Sequence, residues 1–166
     1  MAETETAMEL SAHAREVIDR WVAKYPPERK QSAVLAALSE VQHENEGYLT
    51  TPLMDAVADY LGMPKIAVYE VASFYSMYET SEVGRNNVAI CTNISCMLRG
   101  SGEIVEHIEK KLGIKVGEST PDGRIFLKRE EECLAACCGA PMMQVNHVYH
   151  EKLTTDKVDE ILDALD

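Results

Sequence analysis

No stretch of this 166-residue chain approaches ~18 consecutive apolar residues, so no membrane-spanning helix and no direct membrane insertion is expected. Basic residues are few: 16 Lys and Arg stand against 28 Asp and Glu, a net charge of −12. Free nucleic acid and anionic lipid would be repelled, so neither is expected as a partner, whereas a basic partner subunit is compatible with this charge. The first ten residues carry Glu3, Glu5 and Glu9 and no Lys or Arg. A secretion signal needs a basic start and an apolar run, and a mitochondrial transit peptide needs Arg and few acids, so the chain reads as bacterial-type cytosolic. There is no G-x-G-x-x-G fingerprint and no P-loop, which leaves nucleotide binding without a motif. His43-Glu44 hints at a zinc peptidase, but Gly47 stands where the second histidine belongs. Internal repeats and low-complexity tracts are missing too.

What is present divides the chain in two. The first half reads as helices, after an N-terminal segment, residues 1–9, expected to be mobile. Val17, Ile18, Trp21 and Val22 make an apolar stripe that stops at Pro26-Pro27. Ser32 is placed to cap a helix with Val34, Leu35, Leu38 and Val41 on its apolar face, ended by Gly47. Thr51 and Pro52 open a third helix, with Leu53, Val57, Tyr60 and Leu61 on one face and Gly62 at its end. Met63-Pro64 starts a fourth, carrying Ile66, Val68, Val71, Phe74, Tyr75 and Tyr78. The three aromatics are expected in the core, with an apolar docking patch as the alternative. Short connections imply a compact bundle over residues 1–80.

Residues 79–87 read as a linker, and the pattern then changes. Val88-Ala89-Ile90 predicts a short strand. Ser101 is placed to cap a helix with Ile104, Val105, Ile108 and Leu112 inward, stopped by Gly113. Residues 124–128 and 142–146 read as further strands, and Val148-Tyr149 as a fourth after a tight turn. The last helix is expected from Thr155 or Asp156, with Val158, Ile161, Leu162 and Leu165 at helical spacing. Strand–helix–strand–strand–helix over residues 86–166 fits a small α/β layer of thioredoxin-like connectivity. The fold class is thus α+β, a helical bundle followed by that domain.

Five cysteines lie in the second half, and four of them form two pairs, Cys91 with Cys96 and Cys133 with Cys137. Grouped cysteines in a cytosolic chain point to metal or redox chemistry ahead of disulfides. Two short-range thiolate pairs brought together by a fold are what a 2Fe–2S centre needs, one pair for each iron. All four fall at strand ends, where backbone N–H groups can donate to sulfur and favour negative charge. Glu130, Glu131 and Glu132 act in the opposite sense if they come close. A disulfide reductase needs C-x-x-C, which is missing. Structural zinc remains possible on ligand count, although zinc ribbons use closer pairs. A plant-type ferredoxin needs a cysteine where Arg99 stands, and a Rieske centre needs histidine in these loops. Cys138, beside Cys137, is expected to be a buried or half-buried bystander. His13, His107, His147 and His150 are scattered, with surface or hydrogen-bonded roles.

Cys91-Thr-Asn-Ile-Ser-Cys96, Glu132-Cys-Leu-Ala-Ala-Cys137 and Ala140-Pro-Met-Met-Gln-Val-Asn146 closely resemble the 24 kDa-type thioredoxin-like 2Fe–2S subunit of respiratory complex I, the NADH:quinone oxidoreductase. Gly47-Tyr-Leu49 and Val71-Ala-Ser-Phe-Tyr75 resemble that family's N-terminal segments, and the likeness runs over residues 15–165. The resemblance implies that Cys91, Cys96, Cys133 and Cys137 hold one 2Fe–2S cluster. It implies an electron-transfer subunit of an NADH dehydrogenase with no catalytic pocket of its own. It implies a fixed partner, the flavin-bearing NADH-binding subunit, which carries FMN and NAD. The location implied is peripheral, on the cytoplasmic face of the bacterial inner membrane as part of the complex. The alternative host is an NAD-linked hydrogenase or formate dehydrogenase, where such a chain is a diaphorase subunit. Other classes remain: a module whose metal only fixes its fold, or a thiol oxidoreductase.

Overall fold

The computed structural model describes residues 9–128 and 133–166. The expectation for residues 1–9 therefore falls, Glu9 apart, outside the described residues, as does the one for Glu130, Glu131 and Glu132. The chain divides into two compact units between Glu82 and Val83.

The first unit is helical. Helix α1 (Ala12–Val22) begins where Ser11 Oγ accepts the Ala14 N–H at 2.9 Å, and it buries Ala14 and Ile18. A 3-10 segment, Pro27–Ala33, leads directly into α2 (Val34–Glu44). Ser32 therefore lies inside helical backbone and caps nothing. The preceding 3-10 turn already supplies acceptors where a capping side chain would be needed. Helix α2 buries Val34, Ala37, Leu38 and Val41, while Leu35 faces outward. Helix α3 (Thr51–Leu61) is capped by Thr50, one residue before the expected start, and stops at a left-handed Gly62. Helix α4 (Lys65–Phe74) follows Pro64 and buries Val68 and Ala72. Asp55 ties α3 to α4, accepting from Lys65 Nζ at 2.6 Å and from the Tyr69 hydroxyl. The core of this unit centres on Ile18, Leu38, Val41, Leu49, Val57 and Val68.

In the second unit, β1 (Asn86–Ile90) starts earlier than expected and takes the end of the predicted linker. It is followed by α5 (Ile94–Met97), α6 (Ser101–Leu112), β2 (Ile125–Leu127), β3 (Met143–Val145), β4 (Val148–His150) and α7 (Thr155–Asp163). The sheet order is β2-β1-β3-β4. Strands β1 and β2 are parallel, with Val88 opposite Leu127, as a crossover through α6 requires. Strands β3 and β4 are antiparallel to their neighbours. Asn146 and His147 join them with φ of 47° and 71°, the positive pair of a type I′ hairpin turn. This is a thioredoxin-like layer, and with the helical unit it makes the fold α+β.

Ser101 is buried as the first residue of α6, with Gly100 in the capping position, so it does not cap as expected. Val88, Ile90, Ile104, Ile108, Ile125, Leu127, Met143, Val145, Val158 and Leu162 fill the core. Helices α6 and α7 are braced by His107 Nε2 with Asp159 at 2.8 Å and Lys111 Nζ with Asp163 at 2.8 Å. Gly84 lies where a Cβ would be 2.5 Å from the Ile125 carbonyl carbon and 2.7 Å from the Phe126 nitrogen, so the chain entering β1 passes β2 with no room for a side chain. Among the described residues, no helix is long and apolar enough to cross a membrane.

Candidate metal centre

Cys91 follows directly on β1, and its N–H donates to the Met142 carbonyl at 3.2 Å, beside the start of β3. Cys96 was expected in a loop; it sits instead on α5, a single helical turn. Asn93 starts that turn by accepting the Ile94 N–H at 2.8 Å. The turn directs Cys96 inward, fully buried, and leaves Ile94 and Met97 exposed. Cys133 and Cys137 come from the segment before β3, with their sulfurs 3.8 Å apart. Ala135 lies between them at φ 60°, and its N–H donates to Cys133 Sγ at 3.3 Å.

The four thiols share one pocket of about 310 Å³, completed by Asn93, Ile94, Ser95, Ala136 and Met142. Leu134, Ala140 and Met142 pack against Cys91 and Cys96 as a buried apolar wall. The backbone N–H groups of Leu134 and Asn93 favour the thiolate at Cys91, and that of Met142 favours it at Cys96. Burial opposes ionisation of Cys91, but these N–H groups and the thiols of Cys96 and Cys133 outweigh it, and its pKa lies below the ordinary thiol value. At Cys96, burial and the neighbouring Cys91 push the pKa up to about 11. At Cys133, the Ala135 N–H favours the thiolate, but Cys137 and burial prevail and the pKa is raised. One thiolate thus forms readily and opposes the next. Four converging sulfurs are a set of soft donors, and a bound cation relieves the repulsion between Cys91 and its neighbours Cys96 and Cys133. The donor set fits an iron–sulfur centre.

Cys138, expected to be buried or half-buried, is instead exposed and takes no part in the pocket. It lies in the 3-10 turn Cys137–Gly139, where adjacent residues point about a third of a turn apart. Tyr78 is in the core as expected, its hydroxyl donating to the Leu35 carbonyl at 2.7 Å. Phe74 and Tyr75 are not; they are 79% and 41% exposed and stacked edge to face. Phe74, the last residue of α4, lies off the face that carries Val68 and Ala72, and the helix ends before Tyr75. Trp21 is half-exposed under Lys24 Nζ, 3.4 Å from its ring centroid. The histidines are dispersed: His13 faces Glu40 at 3.4 Å, His107 pairs with Asp159, His147 lies in the hairpin turn, and burial lowers the pKa of His150. Helix α5 and the role of Met142 in the wall went unread in the sequence, although Asn93 ahead of Ile94-Ser95-Cys96 is a helix-start signal.

A thioredoxin-like layer that gathers four of its cysteines in one pocket, with no C-x-x-C, is a redox-protein fold carrying a set of soft donors suited to a metal. The chain belongs to the thioredoxin-like [2Fe-2S] ferredoxin family, whose sequence model matches residues 18–166. It is 46% identical over 144 residues to a subunit of the NADH-quinone oxidoreductase of Rickettsia conorii, covering 87% of this chain and 86% of that one. It is 43% identical over 148 residues to the mitochondrial NADH dehydrogenase [ubiquinone] flavoprotein 2 of Dictyostelium discoideum, covering 89% of this chain and 60% of that one. Among solved structures, an NAD+-reducing [NiFe]-hydrogenase in the air-oxidized state has the same fold, with a TM-score of 0.67 at 21% identity over 78% of this chain. This chain spans only 22% of the hydrogenase chain.

Proposed function

We propose that this chain is the electron-transfer subunit of an NADH:quinone oxidoreductase, complex I, with a 2Fe–2S cluster held by Cys91, Cys96, Cys133 and Cys137. The observation that carries the reading is the meeting of these thiols in one pocket, in a chain close in sequence to a known subunit of that enzyme. When bound, such a cluster supplies a one-electron carrier. The residues of the chain do the rest. The four cysteines supply the donors. The N–H groups of Asn93, Leu134, Ala135 and Met142 stabilise negative charge on the sulfurs. Leu134, Ala140 and Met142 keep water from the inner side. Cys133 and Cys137 lie on the exposed side, where a partner can approach.

That partner is the flavin-bearing NADH-binding subunit, which carries FMN and NAD and exchanges single electrons with this chain. The chain acts as one subunit of an oxidoreductase, at the cytoplasmic face of the bacterial inner membrane. Residues 1–80 form one domain and residues 86–166, with the cysteines, the other.

The test is anaerobic purification with iron and acid-labile sulfide analysis. The expected protein is red-brown, holds iron and sulfide in equal amounts and bleaches with dithionite. Cys137→Ser should lose iron, and Cys138→Ser should keep it. A colourless zinc protein, or iron lost only from Cys138→Ser, refutes the ligand set. Gentle co-purification tests the host: an FMN-containing partner with membrane-arm subunits is expected, and a hydrogenase or formate dehydrogenase large subunit would overturn complex I.

A further inference from the structure

Gly139 closes the 3-10 turn that begins at Cys137, and it is buried. A Cβ there would lie 2.1 Å from Glu151 Oε2, 2.3 Å from its Cδ and 2.5 Å from its Cγ. The carboxylate of Glu151 thus fills the space that any other residue at 139 would claim. The main chain around Glu151 is pinned to the same loop. The Lys152 N–H donates to the Gly139 carbonyl at 2.6 Å, and the Leu153 N–H to the Pro141 carbonyl at 2.9 Å. Lys157 Nζ donates to the Glu151 backbone carbonyl at 2.6 Å and leaves the carboxylate itself unpaired by that contact. Among the described residues, no Lys, Arg or His forms an ion pair with this carboxylate.

We infer that Glu151 tunes the centre electrostatically, its carboxylate over Gly139 holding the reduction potential down. The inference rests on Cys91, Cys96, Cys133 and Cys137 being the cluster ligands. One-electron reduction of a cluster held by these cysteines would add negative charge to the centre, and a carboxylate beside the loop that carries Cys137 would raise the free energy of the reduced form. Cations near this loop act in the opposite sense, among them Lys152, Lys157 and Arg99, whose Nη1 donates to the Ala140 carbonyl at 3.4 Å. None of them is altered by Glu151→Gln, so the change isolates the carboxylate. Glu151 is exposed to solvent, and salt should therefore weaken its influence.

The test is a dithionite titration of the full-length, iron-loaded protein, followed by electron paramagnetic resonance. Glu151→Gln keeps the shape and removes the charge, and its midpoint potential should rise, by an amount that shrinks as ionic strength increases. Glu151→Ser, a second neutral variant, should rise too, whereas Glu151→Asp keeps the charge and should stay at the wild-type value. A purely packing role predicts the reverse order, with Glu151→Gln unchanged. A neutral variant that holds full iron and sulfide at the wild-type potential, or below it, overturns the inference. Wild-type protein without iron would instead overturn the cluster reading, so the two failures are distinct.

Discussion

At Gly84 the surrounding atoms that a methyl group would meet are backbone, not the movable end of a side chain. Gly84→Ala must therefore shift β2 or the chain entering β1, and overpacking of this kind costs about 1–3 kcal/mol. A lower thermal midpoint for the α/β unit is expected, and an unchanged midpoint would show that β2 yields freely. Nothing in the sequence around Gly84 announces this, because the clash is with Ile125 and Phe126, some forty residues further on. The cysteines behave differently. Their pairing by spacing was legible, yet the exposure of Cys138 was not, since it depends on the backbone turn between Cys137 and Gly139.

Among the elements, the buried faces of α3 and α6 were readable from period alone, whereas Leu35 on α2 and Ile66 on α4 are exposed against expectation. Val57 and Leu61 on α3, and Ile104 and Ile108 on α6, are buried where the spacing puts them. The helix starts were less so: Ser32 and Ser101 have the right chemistry for caps and the wrong backbone. The pairing of α6 with α7 is a product of the fold, and it carries a pH signature. His107 first, and then Lys111, hold the Asp159 carboxyl below the usual aspartate value of 3.8. A carboxyl whose pKa is lower folded than unfolded adds stability above its unfolded pKa and loses it as the pH falls through the folded one. Asp159→Asn should thus cost stability at neutral pH, and the difference from wild type should vanish as the pH falls below about 3.8 and toward the folded pKa. Urea unfolding across that range measures it. A difference that persists undiminished at low pH would mean that Asp159 acts by packing.

For the molecule as a whole, the cysteine pocket joins the end of β1 and α5 to the segment before β3. A small α/β unit has a modest core, and a metal that ties such remote segments together contributes to its folding free energy. Removing the iron should loosen Val83–Asp166 before the helical unit, seen as faster amide hydrogen exchange at β1, α5 and residues 133–143. Equal protection with and without iron would refute this. Apart from α5, the order of helices and strands, the cysteine spacing and the family likeness were all determined by the sequence itself, because periodicity and spacing are properties of neighbours along the chain. Which thiols converge, that Phe74 and Tyr75 stay outside the core, and that Glu151 lies over Gly139 were decided only by the tertiary structure. Each of these depends on where an element ends or on how strands far apart in sequence pair, and the free energies that set those contacts come from packing between residues that local pattern does not connect.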